Sequence, residues 1–267
     1  MNKLDELFVT YYSKVPLALA LERVQEAQIF KRIDLNYPSL DLGCGDGIFS
    51  SLAFKNVFDV GVDYNKKELI LASKTRKYSK LIATDAKSIP INNLYFRTIV
   101  CNSVLEHMDN FEEILSECYR ILSFDGDLYF TLPTRLFERY AVVYSLLNIV
   151  GLKNLAEKAA KLYNSFWQHK NVYDPEEWED KFRKAGFQVI EKFRYNTRAQ
   201  TKLNDFLTWT AATGWILKKL INRWTVFSGL RLLIGRVLIP VFSEQIKLKN
   251  SQDGSLVFFH LKKKSND

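Results

Sequence analysis

The sequence predicts an α/β fold in which a doubly wound, mostly parallel seven-stranded sheet is covered by helices on both faces. Between residues 38 and 133, short apolar segments alternate with amphipathic ones, the pattern of strands that are buried under crossover helices. The first apolar segment ends in a run of glycines, and the alternation resumes after residue 173. The 267 residues, 47% of them hydrophobic, suffice for a substantial core.

The individual elements follow from apolar periodicity and from helix start and stop signals. The predicted strands are Ser39–Leu42, Val57–Asp63, Lys80–Asp85, Phe96–Val104, Asp127–Leu132, Gln188–Tyr195 and Ser255–Lys262. The predicted helices between them are Asp46–Lys55, Asn65–Thr75, Asn110–Ser123 and Asp174–Gly186, preceded by Leu17–Phe30. Asn65 is a plausible N-cap, and Pro175 with two following glutamates is typical of a helix start.

The cysteine content, the amino-terminal sequence and the net charge indicate where the protein acts and which partners suit it. The three cysteines have no metal-ligand spacing, which favours free thiols in a reducing compartment, and no metal site is predicted. The amino terminus mixes acidic and basic residues and lacks a signal-peptide pattern, so a cytoplasmic location is expected. The net charge of +8 is compatible with nucleic acid, an anionic membrane surface or an acidic substrate.

The segment from Leu40 to Phe49, LDLGCGDGIF, is the clearest functional signal. Glycines at the end of a first strand allow a ligand to approach the backbone closely, and the helix that follows is expected to offer N–H groups to an anionic group. The spacing Gly43-x-Gly45-x-Gly47 places Ile48 where a dinucleotide fingerprint needs its third glycine. This spacing argues against NAD or FAD.

Two further carboxylates end predicted strands at the same sheet edge. Asp63 follows the second strand, where an acid binds a ribose diol, and Asp85 ends the third, where it could accept a bond from an adenine amine. Either could instead be only a turn-forming carboxylate.

With these motifs, LDLGCGDG, VGVDYN, ATDAKSIP and VCNSVLEHMDN, the chain closely resembles the Rossmann-like class I methyltransferases that use S-adenosylmethionine (SAM). The resemblance covers about residues 40–133 well, and the last two strands by order only. It implies SAM as the cofactor and an antiparallel final strand. The residues implied to bind SAM are Asp41, Gly43, Cys44, Gly45, Gly47, Asp63, Tyr64, Asp85, Ala86, Asn102 and Ser103.

The resemblance also implies where the methyl acceptor lies. His107, just past the fourth strand, would lie near the transferred methyl group, and His169 could face the same cavity. Both are candidates for a general base or an acceptor-positioning group, with helix capping or packing as the alternative. Tyr11, Arg23 and Glu26 could reach the cavity from the amino-terminal helices.

Three parts of the chain are distinguished: an amino-terminal helical cap (1–37), a SAM-binding domain (38–267), and two helical insertions within it (134–173 and 196–254). The insertions follow the fifth and sixth strands and are rich in Leu, Trp and Phe. Their basic residues Lys218, Lys219, Arg223, Arg231 and Arg236 are interleaved with apolar ones, as in helices that lie in a membrane interface. The insertions are therefore expected to form a hydrophobic lid or a membrane-facing subdomain, with packing on the core or on a second subunit as the alternative.

The favoured function is methyl transfer from SAM to a hydrophobic or lipid-linked acceptor, with peripheral attachment to an anionic membrane surface on the cytoplasmic side. An alternative is a soluble acceptor such as a sugar or secondary metabolite, with the insertions as lid or dimer interface. No nucleic-acid partner is expected, because no RNA-binding module is visible and the fourth strand lacks an Asn-Pro-Pro-Tyr-like motif. A SAM-binding scaffold without activity is disfavoured by the intact glycines and acids. The oligomeric state stays open.

Overall fold

The computed structural model describes residues 1–264, apart from the side chains of Thr210, Ala212 and Thr213. Its strands are β1 (Ser39–Leu42), β2 (Phe58–Asp63), β3 (Tyr78–Ala83), β4 (Phe96–Asn102), β5 (Leu122–Pro133), β6 (Phe187–Tyr195) and β7 (Leu256–Lys263). Its helices are α1 (Lys3–Lys14), α2 (Leu17–Phe30), α3 (Ile48–Ala53), α4 (Lys66–Lys74), α5 (Phe111–Ile121), α6 (Arg135–Arg139), α7 (Val142–Ile149), α8 (Lys153–Trp167), α9 (Pro175–Lys184), α10 (Arg198–Thr208), α11 (Ala212–Ile221) and α12 (Ser228–Phe242).

The strands form one seven-stranded sheet in the order β3-β2-β1-β4-β5-β7-β6. Strands β1 to β5 pair in parallel, and β7 runs antiparallel between β5 and β6. The order reverses at β1 and β4, and the carboxyl ends of parallel strands on either side of such a reversal form a crevice for ligands. The predicted fold, including the antiparallel final strand, is confirmed.

Apolar side chains cover both faces of the sheet because successive strand residues point to opposite sides. In β4, Ile99 and Cys101 belong to one buried cluster and Val100 to the other. In β7, Phe259 belongs to the first of these clusters and Phe258 to the second, and both side chains are at most 2% exposed. Truncating a side chain such as Phe259 to alanine would cost about 3–5 kcal/mol of folding stability.

Several helices and strands begin or end a few residues away from their predicted bounds. The helix expected from Asp46 begins only at Ile48, because Gly47 has the left-handed φ of +72° as its N-cap. Strand β3 ends at Ala83, so Asp85 lies in the following turn, where Lys87 N–H donates to its side chain at 3.0 Å. Strand β4 ends at Asn102, and Ser103 takes a φ of +53° that turns the chain out of the sheet.

Both insertions leave the sheet at the edge that carries the crevice. Residues 134–173 contain α6, α7 and α8, and residues 196–254 contain α10, α11 and α12. Helix α12 packs on α1, where the guanidinium of Arg231 lies 4.0 Å from the Tyr12 ring centroid and donates to the Tyr12 and Val15 carbonyls. Within residues 1–264 no helix combines the length and apolarity that crossing a membrane requires.

Candidate active site

The glycine loop after β1 folds back on β2. The N–H groups of Gly43 and Cys44 both donate to the Val62 carbonyl, at 2.8 and 2.9 Å. Gly43 has a φ of +74°, and a Cβ there would lie 2.5 Å from a Val104 methyl carbon, whereas Gly45 (φ +52°) has open space on its Cβ side. Gly43 is therefore required for packing, and Gly45 leaves room for a ligand.

Two N–H groups at the start of α3 are bonded within the turn itself. Gly47 N–H donates to the Cys44 carbonyl at 3.0 Å, and Ile48 N–H donates to the Asp46 side chain at 3.1 Å. That this helix start offers its other N–H groups to an anionic group stays a prediction. Cys44 itself is buried beside the loop, and burial raises the pKa of its thiol above the usual range.

Asp63 lies at the carboxyl end of β2 and ties the loop to the strand. Its Oδ2 accepts from Gly45 N–H at 2.9 Å, and its Oδ1 accepts from Asn65 N–H at 2.8 Å. A carboxylate has about four acceptor positions, so acceptor capacity remains for a further donor such as a ribose hydroxyl. Tyr64 beside it is 73% exposed. Asp85 is exposed on the neighbouring turn, and Ala86 packs against the core.

Asp41 is less accessible than its neighbours at the loop. Its carboxylate is 3% exposed and accepts from Ser50 Oγ at 2.5 Å and from the Tyr78 hydroxyl at 2.7 Å. Burial raises the pKa of Asp41 to about 6 despite these two bonds. The structure thus assigns Asp41 a part in anchoring β1 to α3 and β3, and its predicted contact with the cofactor stays a prediction.

Asn102 and Ser103 lie at the end of β4, beneath a buried polar cluster from α2. Glu26, fully buried, accepts from Asn102 Nδ2 at 2.9 Å and from the Tyr195 hydroxyl at 3.3 Å. Arg23 pairs with Glu26 and donates to Ser103 Oγ at 2.7 Å. Three residues of the amino-terminal helices were candidates for reaching the cavity next to Ser103. Arg23 lines that cavity, and Glu26 lies in the buried polar cluster. Tyr11 instead lies in the core and bonds to the Phe49 carbonyl.

A small cavity of about 70 Å³, here called the inner cavity, lies next to Ser103 at this edge. Its walls include Arg23, Glu106, His107 and His169. The two imidazole rings approach to 5.2 Å between centroids, so the structure brings both predicted catalytic histidines to one place. The third histidine, His260, bonds to Asp127 in β5 at 2.7 Å.

Backbone contacts hold this arrangement. The carbonyl of Glu106 accepts from Lys170 N–H at 2.7 Å and from Asn171 N–H at 3.1 Å, which docks the end of the first insertion on the turn after β4. His107 Nδ1 lies 3.2 Å from the Gln168 carbonyl. Since a carbonyl only accepts, Nδ1 carries the proton in the neutral ring, and Nε2 has the lone pair.

Burial controls the protonation of these groups. It lowers the pKa of His169 to about 3, and it also lowers the pKa of His107. Burial raises the pKa of the Glu106 carboxyl to about 8. At neutral pH both imidazoles are therefore neutral and can act as proton acceptors or as ligands.

A second, larger cavity of about 630 Å³, here called the outer cavity, opens beyond the inner one. The two cavities share Tyr163, Asp205 and Thr208 as lining residues. The other walls of the outer cavity are mostly apolar and include Val142, Leu162, Phe166, Phe206, Trp209 and Ile216.

Sequence reasoning missed several residues that line these cavities. Glu106 stood beside His107 in the motif after the fourth strand, so its position was a usable signal. Tyr163 and Asp205 come from separate insertions, and their approach depends on how α8 and α10 pack. No spacing in the sequence predicted that contact.

Comparison with known proteins identifies the family. The family model described as "Methyltransferase domain" matches residues 16–192, about two thirds of the chain. The chain belongs to this methyltransferase family. Its match extends from α2 through the glycine loop to β6, and it includes every residue predicted to bind the cofactor.

Individual relatives are distant. An uncharacterized protein of Methanocaldococcus jannaschii is 26% identical over 234 residues, which are 82% of this chain and 87% of that one. A ubiquinone biosynthesis O-methyltransferase of Pseudomonas putida is 26% identical over 157 residues, 56% of this methyltransferase and 64% of that enzyme. A SAM-dependent methyltransferase of Thermotoga maritima, described as a possible histamine N-methyltransferase, superimposes with a TM-score of 0.59 at 18% identity, over 93% of this chain and 92% of its own.

The resemblance to class I SAM-dependent methyltransferases is thereby confirmed, and SAM is the cofactor that this family and fold imply. The residues present fit it: the open side of Gly45 leaves space at the loop, and Asp63 keeps acceptor capacity for a ribose. Bound SAM supplies an electrophilic methyl group on a sulfonium. In methyl transfer of this kind the protein contributes mainly by aligning an acceptor with that methyl group and by excluding water.

Proposed function

We propose that this methyltransferase acts on a hydrophobic or lipid-linked acceptor, whose polar end enters the inner cavity while its apolar part occupies the outer one. The observation that carries the proposal is the shared wall of the two cavities at Tyr163, Asp205 and Thr208. An apolar pocket with a few convergent polar groups at one end suits an amphipathic ligand.

The surface around the outer cavity supports a membrane as the source of that acceptor. Large apolar side chains are exposed on α7, α8, α10, α11 and α12 of the insertions and on the turn that follows α10. They include Leu146, Ile149, Leu162, Phe206, Trp209, Leu220, Leu233 and Val237. Exposed apolar surface on this scale marks a binding surface for a protein or a membrane. Lys219, Arg223 and Arg236 are exposed among these side chains, where anionic headgroups would favour them by about 1 kcal/mol each.

Two of the basic residues in this region have other partners. Lys218 pairs with Asp46 at 3.2 Å and Glu68 at 2.9 Å, which fastens α11 beside the glycine loop. Arg231 donates hydrogen bonds to the Tyr12 and Val15 carbonyls at the end of α1. The proposed membrane contact therefore rests on the exposed apolar side chains and on the three exposed cations.

The acceptor atom would lie beside the two histidines. His107 Nε2 has the free lone pair, and its lowered pKa keeps it unprotonated at neutral pH. It could take the proton from an acceptor hydroxyl as the new bond to carbon forms. The Pseudomonas putida relative, by its name, methylates oxygen in ubiquinone biosynthesis, which is consistent with a hydroxyl on a lipid-like molecule.

Flotation with vesicles of phosphatidylethanolamine and phosphatidylglycerol tests the membrane contact. The wild type should float with the vesicles, and the double variant Leu233→Glu/Val237→Glu, at side chains 59% and 75% exposed, should stay behind. Phe124→Glu/Ile190→Glu is the matched control, since it adds the same charge at side chains 69% and 48% exposed outside the insertions. If the wild type does not float, or if both double variants float equally, the proposed surface is wrong.

The same apolar surface could instead be covered by a second copy of the chain, with a soluble acceptor in the inner cavity. Sedimentation of the wild type separates these cases. A stable dimer that Leu233→Glu/Val237→Glu dissociates, with no vesicle binding, would favour the soluble acceptor.

A further inference from the structure

We propose that Glu106, His107 and His169 bind a divalent transition-metal ion on the acceptor side of the active site. Their ligating atoms, one from each side chain, all lie within 4.8 Å of one another. Two ligands of one tetrahedral zinc ion are about 3.4 Å apart at ordinary bond lengths of about 2.1 Å. His107 Nε2 and Glu106 Oε1 are already at 3.8 Å, so small side-chain rotations would complete the site.

Two buried polar atoms at this place support the proposal of a bound cation. Glu106 is 2% exposed, and among residues 1–264 its Oε2 has no hydrogen-bond partner. His169 Nδ1 is also buried without a partner in the described part of the chain. Buried polar atoms are nearly always satisfied, and a buried carboxylate oxygen without a partner needs an explanation. A metal ion that Glu106 and His169 bind through these atoms would satisfy both of them.

The surroundings of His107 resemble those of a metal-binding histidine. Metal-ligating histidines nearly always donate their other ring N–H to a carbonyl or carboxylate. His107 Nδ1 does so to the Gln168 carbonyl at 3.2 Å, which leaves Nε2 as the ligand atom on the side of Glu106. The Glu106 carbonyl in turn holds residues 170 and 171, so the backbone fixes His169 beside the other two ligands.

The ligand set and the local charge indicate the class of ion. Two imidazole nitrogens and one carboxylate oxygen suit Zn²⁺, Mn²⁺ or Fe²⁺ better than Ca²⁺, which prefers oxygen alone. Glu22, Glu26 and Glu106 all interact with the guanidinium of Arg23, so three acidic side chains adjoin one basic side chain there, and a bound cation would favour their ionised forms. The inner cavity of about 70 Å³ leaves space beside the ion for an acceptor oxygen.

The ion would orient the acceptor. An acceptor hydroxyl that coordinates it loses its proton more readily, as metal-bound water does. The deprotonated oxygen is then the nucleophile that bonds to the methyl carbon, while the carbon–sulfur bond breaks and the electron pair goes to sulfur. The hydroxyl proton leaves to solvent. In this arrangement His107 Nε2 is a ligand of the ion and does not accept the proton, so the role of His107 as base, proposed above, applies only to the metal-free protein. This role rests on the proposed function, but binding of the ion itself does not.

Co²⁺ titration of the chelator-treated full chain tests the site, because the visible absorption of Co²⁺ reports nitrogen and oxygen ligands directly. The wild type should bind one equivalent. His107→Ala, His169→Ala and Glu106→Gln should each weaken Co²⁺ binding at least 10-fold, since losing even an outer-shell partner costs about 10- to 100-fold. His260→Ala, at the histidine outside the inner cavity, should bind as the wild type does, and circular dichroism verifies that each variant is folded.

The proposal is overturned if the wild type shows no Co²⁺ spectrum, or if His169→Ala and His260→Ala bind Co²⁺ equally. Its failure is distinguishable from failure of the proposed function. Co²⁺ bound at these residues without methylation of any lipid-like acceptor would sustain the metal site and refute the acceptor class. If no Co²⁺ spectrum appears and a lipid-like acceptor is methylated at an unchanged rate after chelation, the metal site is refuted and the proposed acceptor class is supported.

Discussion

Replacing Gly45 with alanine should weaken SAM binding while leaving the protein folded. Among the residues that the structure describes, the Cβ would meet no heavy atom within 4 Å, and the residue's φ is +52°. The left-handed conformation costs an alanine about 1–2 kcal/mol of folding stability, which a domain of this size tolerates. The added methyl group would occupy space predicted for the methionine part of SAM. Overpacking by one methyl costs about 1–3 kcal/mol, so affinity should fall about 5- to 150-fold.

Isothermal titration calorimetry with SAM measures the affinity, and urea unfolding measures the stability. Gly151→Ala is the matched control, because Gly151 also has a left-handed φ of +80° and open space on its Cβ side, yet lies in the first insertion. Its unfolding free energy should fall by a similar amount with SAM affinity unchanged. Gly43→Ala should unfold most easily, since its Cβ would overlap Val104. If Gly45→Ala binds SAM as tightly as Gly151→Ala does, the assignment of the loop to the cofactor is wrong.

Further substitutions test the remaining parts of the site. Asp63→Ala should reduce SAM affinity about 10- to 100-fold in calorimetry, since a hydrogen bond to a charged group is worth about 1.5–3 kcal/mol; unchanged affinity would exclude Asp63 as a ligand. Glu26→Ala should lower the unfolding free energy by about 3 kcal/mol, because it strands Arg23 without its buried partner, and a loss below 1 kcal/mol would contradict the buried cluster. Burial raises the pKa of Glu106 from 4.5 to about 8, so the folded state binds the extra proton between these pH values and stability falls as pH rises. Metal-free wild type should accordingly lose roughly 1 kcal/mol per pH unit between about pH 5 and 7 relative to Glu106→Gln, and parallel stability curves for the two proteins would refute the raised pKa.

The fold was predictable because its signals are local. Apolar runs, helix caps and glycines recur in the right order, and β2, for example, differs from its predicted bounds by one residue. The predicted ends of elements were wrong where a backbone angle sets the end of the element, as at Gly47 and Ser103, which have left-handed φ values.

The candidate site was predictable only in part, because side-chain partners depend on packing. The sequence placed Asp63 and the glycines at one sheet edge, since the carboxyl ends of parallel strands meet there. It did not reveal that Asp41 bonds to Ser50 and Tyr78, or that Arg231 lies over Tyr12. It also did not reveal that Glu106 lies together with the two histidines, because His169 lies about 60 residues along the chain and reaches the others only through the docked insertion.

The most direct test of the central claim is transfer of a labelled methyl group from SAM to two phenols that differ only in an isoprenoid tail. With the tailed phenol in phosphatidylglycerol vesicles, kcat/KM should exceed that of the tail-free phenol in solution. It should fall when Phe166→Glu, at a side chain of the outer cavity that is 52% exposed, charges the wall that the tail would contact. Equal kcat/KM for both phenols, unaffected by Phe166→Glu, would contradict the account.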